Sequence, residues 1–263
     1  MPINADGKFI ATFDDGVPSE FSGITTTESV QMFDGIGTGT NVFSGNFLRN
    51  ITPTDTNDTE APGLKTTLTL ENLPSHTSID LNFLLALMDT WDGNFINPGG
   101  RFTYGPDFFN VTVDGQEIFK NAFHNSSPPS QDYVPPAEVE LVGEQNLFTD
   151  PLGFKQELDS AYDMGLDPDF DNIPHTADTL TIEWFADGAG WQGDKNGNRD
   201  ESWAIDNVEV VLNGLDIDTT APSVDTTNGF APVDDADDVA ADTNLVITFD
   251  EPIQAGTGNI IIT

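Results

Sequence analysis

Cysteine is absent from this 263-residue sequence, which excludes disulfides, thiol chemistry and cysteine-ligated zinc sites. Basic residues are scarce as well: 8 lysines and arginines stand against 45 aspartates and glutamates, which gives a formal net charge of -37. Binding to nucleic acid or to an anionic membrane needs a basic surface, so the sequence predicts neither partner. No apolar run approaches the roughly 18 residues of a membrane-spanning helix, so no membrane insertion is expected.

Apolar residues are plentiful enough for a folded core despite the acidity. They make up 37% of the chain and include 19 phenylalanines, which argues against a disordered acidic segment. Folding must still overcome repulsion between carboxylates, and a bound divalent cation relieves such repulsion. We therefore expect Ca2+ as a cofactor.

Strand-like alternation dominates the sequence. In residues 79–88 large apolar side chains recur at every second position, and the intervening positions become apolar from Leu84 onward. This pattern is typical of a strand in the middle of a sandwich. Asp114-Gly115 is the clearest hairpin turn, and only residues 155–164 suggest a short helix. Further strands are predicted at residues 8–13, 42–48, 66–70, 108–113, 179–185 and 203–212.

Composition divides the chain near Asn213-Gly214. We predict a sandwich over residues 1–213, a linker over 214–222 and a second domain over 223–263, with strands at 245–249 and 259–262. The second segment is far shorter than the roughly 100 residues of an immunoglobulin-type sandwich. We therefore expect that this domain is incomplete and that the protein continues past Thr263.

An acidic loop is the most informative motif. Asp194, Asn196, Asn198 and Asp200 recur at every second position, which lets a tight loop direct several oxygen ligands at one calcium ion. The loop is not an EF-hand, because Ile205 stands where a bidentate glutamate belongs. The alternative is an ordinary solvated turn, since Asn and Asp also bond their own backbone.

Two further acidic groups are candidate metal ligands. If Val208 faces the core, strand periodicity turns Asp206 inward, where it must bind a metal or accept backbone hydrogen bonds. Asp89, Asp92 and Asp107 lie on predicted neighbouring loops that could meet Glu201 at one edge of the sandwich; turn and cap chemistry is their alternative.

Two tryptophans beside acidic loops are candidate ligand contacts. Trp191 and Trp91 would each stack on a sugar ring if exposed, with neighbouring carboxylates accepting hydrogen bonds from its hydroxyls. A tryptophan at a strand end is more often part of the core. No catalytic motif appears, and we interpret His76 and His175 as hydrogen-bonding residues where loops enter strands.

The segment 200–208 (Asp-Glu-Ser-Trp-Ala-Ile-Asp-Asn-Val) resembles the last strand of extracellular jelly-roll modules, distantly those of reelin and MAM type. Phe13-Asp14-Asp15-Gly16 resembles their first strand, and Thr90-Trp91-Asp92-Gly93 and His175-Thr176-Ala177-Asp178 follow in the order found in bacterial surface proteins. The resemblance implies a jelly-roll over residues 7–213. It also implies a structural calcium shared by Asp14 and Asp206, although Asp14 replaces the more usual Glu.

Residues 218–263 resemble the start of an immunoglobulin-like repeat of RTX-type adhesins, on Thr220-Ala221-Pro222 and Asp250-Glu251-Pro252-Ile253. The predicted fold is therefore all-β: a jelly-roll sandwich followed by a partial immunoglobulin-like sandwich. The predicted function is a non-catalytic, calcium-binding module of a bacterial extracellular adhesin. We expect a monomeric module of a larger protein that binds a cell-surface glycan or peptide or acts as a spacer. The alternative is a carbohydrate-active enzyme or its accessory carbohydrate-binding module.

Overall fold

The chain is built from antiparallel strands. The computed structural model describes residues 3–51, 65–89, 91, 93–94, 106–125, 131–142, 152–154, 159–188, 191, 201–215, 222–224, 229–233 and 235–251. The strands are β1 (Lys8–Ala11), β2 (Phe21–Gly23), β3 (Thr27–Ser29), β4 (Gly37–Thr38), β5 (Asn41–Val42), β6 (Asn46–Ile51), β7 (Thr66–Glu71), β8 (Ser78–Asp89), β9 (Phe108–Val113), β10 (Gln116–Ala122), β11 (Glu140–Val142), β12 (Asp159–Asp163), β13 (Ile173–Pro174), β14 (Thr179–Asp187), β15 (Glu201–Asn213), β16 (Phe230–Ala231) and β17 (Val246–Ile247).

Helical structure in the described residues is limited to short 3₁₀ turns at Gln31–Phe33, Met164–Leu166 and Pro168–Phe170. None of the described helices is long and apolar enough to cross a membrane. The prediction of an all-β fold is confirmed.

The first compact unit, Met1–Asp216, contains a two-stranded sheet of β4 and β5 and two large sheets. The smaller has the order β10-β9-β14-β7-β2, and the larger has the order β11-β12-β8-β15-β6-β3. Buried side chains of both sheets, such as Phe83 and Val210 of the larger and Leu68 and Val111 of the smaller, belong to one hydrophobic cluster. The unit is therefore a β-sandwich with its main core between the sheets.

The two longest strands, β8 and β15, organise the larger sheet. They pair with each other along most of their length, and each is long enough to pair with two short strands on its other edge. β15 pairs with β6 near its start and with β1 near its end. β8 pairs with β13 near its start and with β12 near its end.

The larger sheet is buried on both faces over part of its area. Leu84, Ala86 and Met88 of β8 pack with Phe33 and Phe47 in a second hydrophobic cluster on the face turned away from the main core. The change from polar to apolar at the intervening positions of β8 marks the point where this second cluster begins. The predicted two-faced strand is confirmed.

A β-bulge in β15 changes the predicted orientation of Asp206. The pairing with β8 shifts between Asp206 and Glu209, and Asn207 adopts a φ of 48°. A bulge inserts one residue and so reverses which face the following side chains occupy. Ile205 and Val208 therefore share the main core, whereas Ala204 packs in the second cluster. The prediction that Asp206 lies on the same face of the sheet as Val208 is wrong for this reason, although Asp206 is fully buried.

Local predictions have mixed outcomes. The hairpin between β9 and β10 is confirmed, and both turn residues, Asp114 and Gly115, have positive φ, as a type I′ turn requires. The predicted strand over 42–48 is interrupted between β5 and β6. The predicted helix over 155–164 is wrong for residues 159–163, which form β12 and pair with the apolar strand β8.

The second compact unit is Ile217–Thr263, and its boundary falls inside the predicted linker. Here β16 pairs with β17, and Val224 forms an isolated bridge with Phe249. The predicted strand over 245–249 corresponds to β17 and this bridge. The predicted strand over 259–262 lies outside the described residues.

Candidate functional site

Asp14 and Asp206 approach the same short segment, residues 44–46. Asp206 accepts hydrogen bonds from the backbone N–H of Asn207 at 2.7 Å and of Ser44 at 3.3 Å. Asp14 accepts one from the N–H of Asn46 at 2.9 Å. Gly45, at φ 57°, leaves room for this approach, since an added Cβ would lie 2.0 Å from Asp14 Oδ1. The loop after β1 and the strand β15 thus place two carboxylates against one turn.

The buried member of this pair is electrostatically unfavourable as a carboxylate. The pKa of Asp206 is raised to about 7: desolvation is the main cause and the nearby charge of Asp14 adds to it, while the N–H donors of Asn207 and Ser44 oppose the rise. Asp14 itself is exposed. A cation bound between the two carboxylates would remove this penalty.

A second polar cluster is buried at one end of the sandwich. Asp89 and Glu201 face each other in the β8–β15 register, and both are buried. Arg49 of β6 reaches Asp89 Oδ2 at 3.5 Å and donates to Ser202 Oγ at 2.7 Å. Asp159 of β12 completes the cluster by accepting the N–H of Asp89 at 3.3 Å.

Asp159 of this cluster has a raised pKa. Desolvation raises its pKa to about 7; the charge of Asp89 adds to the rise, and the N–H groups of Asp89 and Leu152 and the charge of Arg49 oppose it. Because a carboxyl in the unfolded chain titrates near 4, the native state holds a proton between about pH 4 and 7 that the unfolded state has released. Asp159 therefore lowers stability as pH rises through this window.

We expect Asp159→Asn to flatten the dependence of stability on pH. The wild-type free energy of unfolding should fall relative to the variant by up to about 1.4 kcal/mol per pH unit between pH 4 and 7, because only wild type must lose a proton. Urea titrations followed by tryptophan fluorescence in chelator measure this, since all four tryptophans belong to the first unit. Parallel stability curves for the two proteins would contradict the assignment.

The other predicted metal ligands are only partly described. Asp107 is fully buried and its N–H donates to the carbonyl of Gly93 at 2.8 Å. Asp92 and the loop residues Asp194, Asn196, Asn198 and Asp200 lie outside the described residues. Within the described part of the chain, no three His, Asp or Glu side chains form a group that could hold a metal ion. The acidic-loop calcium site stays a prediction.

Trp91 and Trp191 lie in the hydrophobic core, at 0% and 2% exposure. Their ring centroids are 5.4 Å apart, and the Trp91 indole N–H donates to the Ser202 carbonyl at 3.0 Å. Neither ring presents a face to solvent, so neither can stack on a sugar in this structure. The packing agrees with the alternative that tryptophans at strand ends belong to the core.

An open groove lies on the outer face of the larger sheet. Its volume is about 390 Å³. Asn82 of β8 and Asn207 and Glu209 of β15 line it, with exposed Ile10 and Leu166 as apolar contacts. Further lining residues come from the β4–β5 hairpin, the end of β12 and the 3₁₀ turn that follows it: Thr38, Thr40, Asn41, Asp163 and Gly165.

The polar side chains of the groove are held by one another. Asp163 Oδ2 accepts hydrogen bonds from Thr38 Oγ1 at 3.2 Å and Asn41 Nδ2 at 3.1 Å. Asn207 Nδ2 donates to Asn41 Oδ1 at 3.1 Å and to the Val42 carbonyl at 2.9 Å. The bulge that positions Asp206 thus also presents Asn207 to the groove, and segment 41–46 connects the two sites.

Sequence reasoning did not anticipate the groove, Arg49 or Asp159. The groove residues come from separate strands and carry no common motif, so only the sheet order brings them together. Only the position of Arg49 could have been noticed in the sequence, since it is one of 8 basic residues and interrupts an apolar strand. Such a charge needs a buried partner.

The fold and its sites define an all-β chain with a β-sandwich as its first unit. Residues 218–263 match the family of bacterial Ig-like domains, which supports the immunoglobulin-like part of the predicted fold. No curated protein matches the chain in sequence.

Three solved structures share an overall likeness with the chain. One is the GH26-CBM35 β-(1,4)-mannanase of Podospora anserina, at 14% identity and a TM-score of 0.32, covering 85% of this chain and 32% of that one. Another is the catalytic domain of a GH87 α-1,3-glucanase, at 12% identity and a TM-score of 0.29, covering 82% of this chain and 29% of that one. The third is the C-terminal family 22 carbohydrate binding module of Clostridium thermocellum Xyn10B, at 13% identity and a TM-score of 0.30, covering 82% of this chain and 99% of that one.

The chain spans about a third of the length of the first two of these structures. At such TM-scores the likeness carries no conclusion about ligand or activity. Only the residues of this chain therefore bear on its function.

Proposed function

We propose that the chain is a non-catalytic, calcium-stabilised carbohydrate-binding module of a bacterial surface protein, and that its ligand lies in the groove on the larger sheet. The observation that carries this proposal is the composition of the groove. Amide, hydroxyl and carboxylate groups line it beside two exposed aliphatic side chains, Ile10 and Leu166.

This lining matches the chemistry of a sugar ring. Sugar hydroxyls both donate and accept hydrogen bonds; the side-chain amide of Asn82 can do the same, and Asn207 Oδ1 can accept. The C–H face of a sugar packs on an exposed apolar surface, which Ile10 and Leu166 provide at 56% and 44% exposure. Ligand sites commonly combine such apolar surface with a few placed polar groups.

Charge narrows the ligand class to neutral saccharides. Asp163 and Glu209 line the groove, and the chain carries a formal charge of -37. A uronate or sulfate would meet repulsion from both the local and the overall field. Lys8 forms an ion pair with Glu209 and offsets its charge, so the charge of Asp163 remains in the groove.

Calcium fits the Asp14–Asp206 pair by donor chemistry. Two carboxylates converge on segment 44–46, and calcium takes carboxylate, carbonyl and water oxygens together. The ion would neutralise the pair and fix segment 41–46, whose other end lines the groove. We propose this pair as the structural calcium site, with the 194–200 loop as a second candidate.

The immunoglobulin-like match at residues 218–263 supports placement in a bacterial surface protein, and adhesion is the role we propose there. In this role the sandwich would hold a glycan. The extracellular location and the adhesin role both follow from this proposal.

We expect Ile10→Asp with Leu166→Asp to weaken glycan binding at least tenfold, because the pair removes the apolar surface and adds negative charge. A glycan array on the intact chain identifies the ligand, and titration calorimetry compares the variants. Val134→Asp is the matched control, since Val134 is 84% exposed and does not line the groove.

Three outcomes contradict the proposal. Equal binding by the groove variant and the control would move the ligand elsewhere. A preference for uronate-containing over neutral glycans would overturn the charge argument. Release of reducing sugar from a bound glycan would favour the enzyme alternative.

A further inference from the structure

Two buried histidines join loops at one end of the sandwich. His76 lies between β7 and β8 and His175 between β13 and β14, so each loop crosses between the smaller and the larger sheet. His76 Nε2 and His175 Nδ1 are 2.7 Å apart. The ring centroids are 4.9 Å apart with an interplanar angle of 18°, so the rings meet edge to edge, as a hydrogen bond between them requires.

The outer nitrogen of each ring faces oxygen acceptors. His76 Nδ1 lies 2.7 Å from the carbonyl of Pro74, so it must carry a proton to make this bond. His175 Nε2 lies 3.2 Å from the carbonyl of Thr179 and 3.1 Å from Asp114 Oδ2. A carbonyl and a carboxylate only accept, so this nitrogen must carry a proton as well.

Counting protons fixes the charge of the pair. The two outer bonds use two protons, and the bond between the rings needs a third. Two neutral imidazoles hold one proton each, so three protons make the pair a single cation. We propose that His76 and His175 share three ring protons at neutral pH and form a charged latch, with Asp114 as counterion, that fastens the two sheet crossovers.

The charged groups on the surrounding elements favour this cation. Asp114 projects from the β9–β10 turn, where its other oxygen accepts the N–H of Thr181 at 2.9 Å. Asp178 lies in the same loop as His175, and Glu71 at the end of β7 pairs in register with Thr179. These groups are carboxylates, and negative neighbours favour the charged form of a histidine.

The latch also holds the end of the last strand of the sandwich. Thr77, next to His76, donates its N–H to the carbonyl of Asn213 at 2.9 Å, and its own carbonyl accepts the N–H of His175 at 3.4 Å. Without the third proton, the two inner nitrogens face each other as lone pairs, His175 Nε2 faces two acceptors, or His76 Nδ1 faces the Pro74 carbonyl. In each case a buried bond is lost and the crossovers loosen.

Nitrogen NMR of the intact chain labelled with ¹⁵N-histidine tests the latch directly. The chain has 3 histidines, and His124→Gln removes the signals of the one outside the pair. At pH 7 we expect protons on three of the four remaining ring nitrogens. Two protonated nitrogens would overturn the proposal.

Asp114→Asn separates the charged latch from an ordinary histidine pair. The substitution removes the counterion of the cation but keeps an acceptor oxygen beside His175 Nε2, so the buried pair should retain only two ring protons at pH 7. Backbone amides of Thr77 and His175 should then exchange at least tenfold faster. Asp178→Asn, which leaves the Asp114 contact intact, is the matched control and should keep three protons. An unchanged proton count in Asp114→Asn would also overturn the proposal.

Discussion

Calcium is expected to raise the melting temperature of the first unit by about 5–10 °C at a hundredfold excess over its dissociation constant. A ligand that binds only the native state stabilises it by about 2.7 kcal/mol under these conditions. For a unit of this size, each kcal/mol shifts the midpoint by about 2–4 °C. Scanning calorimetry in chelator and in calcium measures the shift, and magnesium should substitute poorly because it demands smaller octahedral sites.

Two double variants locate the ion. Asp14→Asn with Asp206→Asn should abolish most of the calcium-dependent shift if the ion binds against segment 44–46. Asp194→Ala with Asp200→Ala should lower the calcium stoichiometry by one if the acidic loop is a second site. Each variant is compared with its own calcium-free state, because the substitutions also change the apo protein. A midpoint that calcium does not move in wild type would refute both sites.

The sequence predicts the strands well because alternation is a local property. In β8, the period of two and the change from polar to apolar at Leu84 follow directly from the two clusters that the strand contacts. The hairpin at Asp114-Gly115 is equally local, since its geometry depends on two residues that tolerate positive φ.

The bulge at Asn207 could not be predicted in the same way. One inserted residue reverses the side-chain phase without any change in composition, and its position depends on the pairing with β8. Burial of Trp91 and Trp191 also depends on pairing, because both rings are covered by segments distant in sequence. The groove requires the order of the strands, which alternation does not contain.

Arg49→Met is expected to destabilise the first unit by about 3–5 kcal/mol, because it leaves the buried Asp89 carboxylate without the guanidinium that neutralises it. The guanidinium of Arg49 also bonds Glu28 Oε2 at 2.7 Å and Ser202 Oγ, and its carbon lies 4.4 Å from the ring centre of Phe154. Urea unfolding followed by tryptophan fluorescence measures the loss.

Lys65→Met provides the matched control for burial. Lys65 bonds Glu183 Oε2 at 2.9 Å and lies 4.4 Å from the ring centre of Phe185, but its side chain is 42% exposed whereas that of Arg49 is 9% exposed. An exposed pair contributes only about 0–1 kcal/mol, so this variant should lose little stability. Adding Asp89→Asn to Arg49→Met should recover part of the loss, because it removes the buried charge. Equal losses in the Arg49 and Lys65 variants would mean that packing, rather than the burial of Asp89, sets the contribution of Arg49.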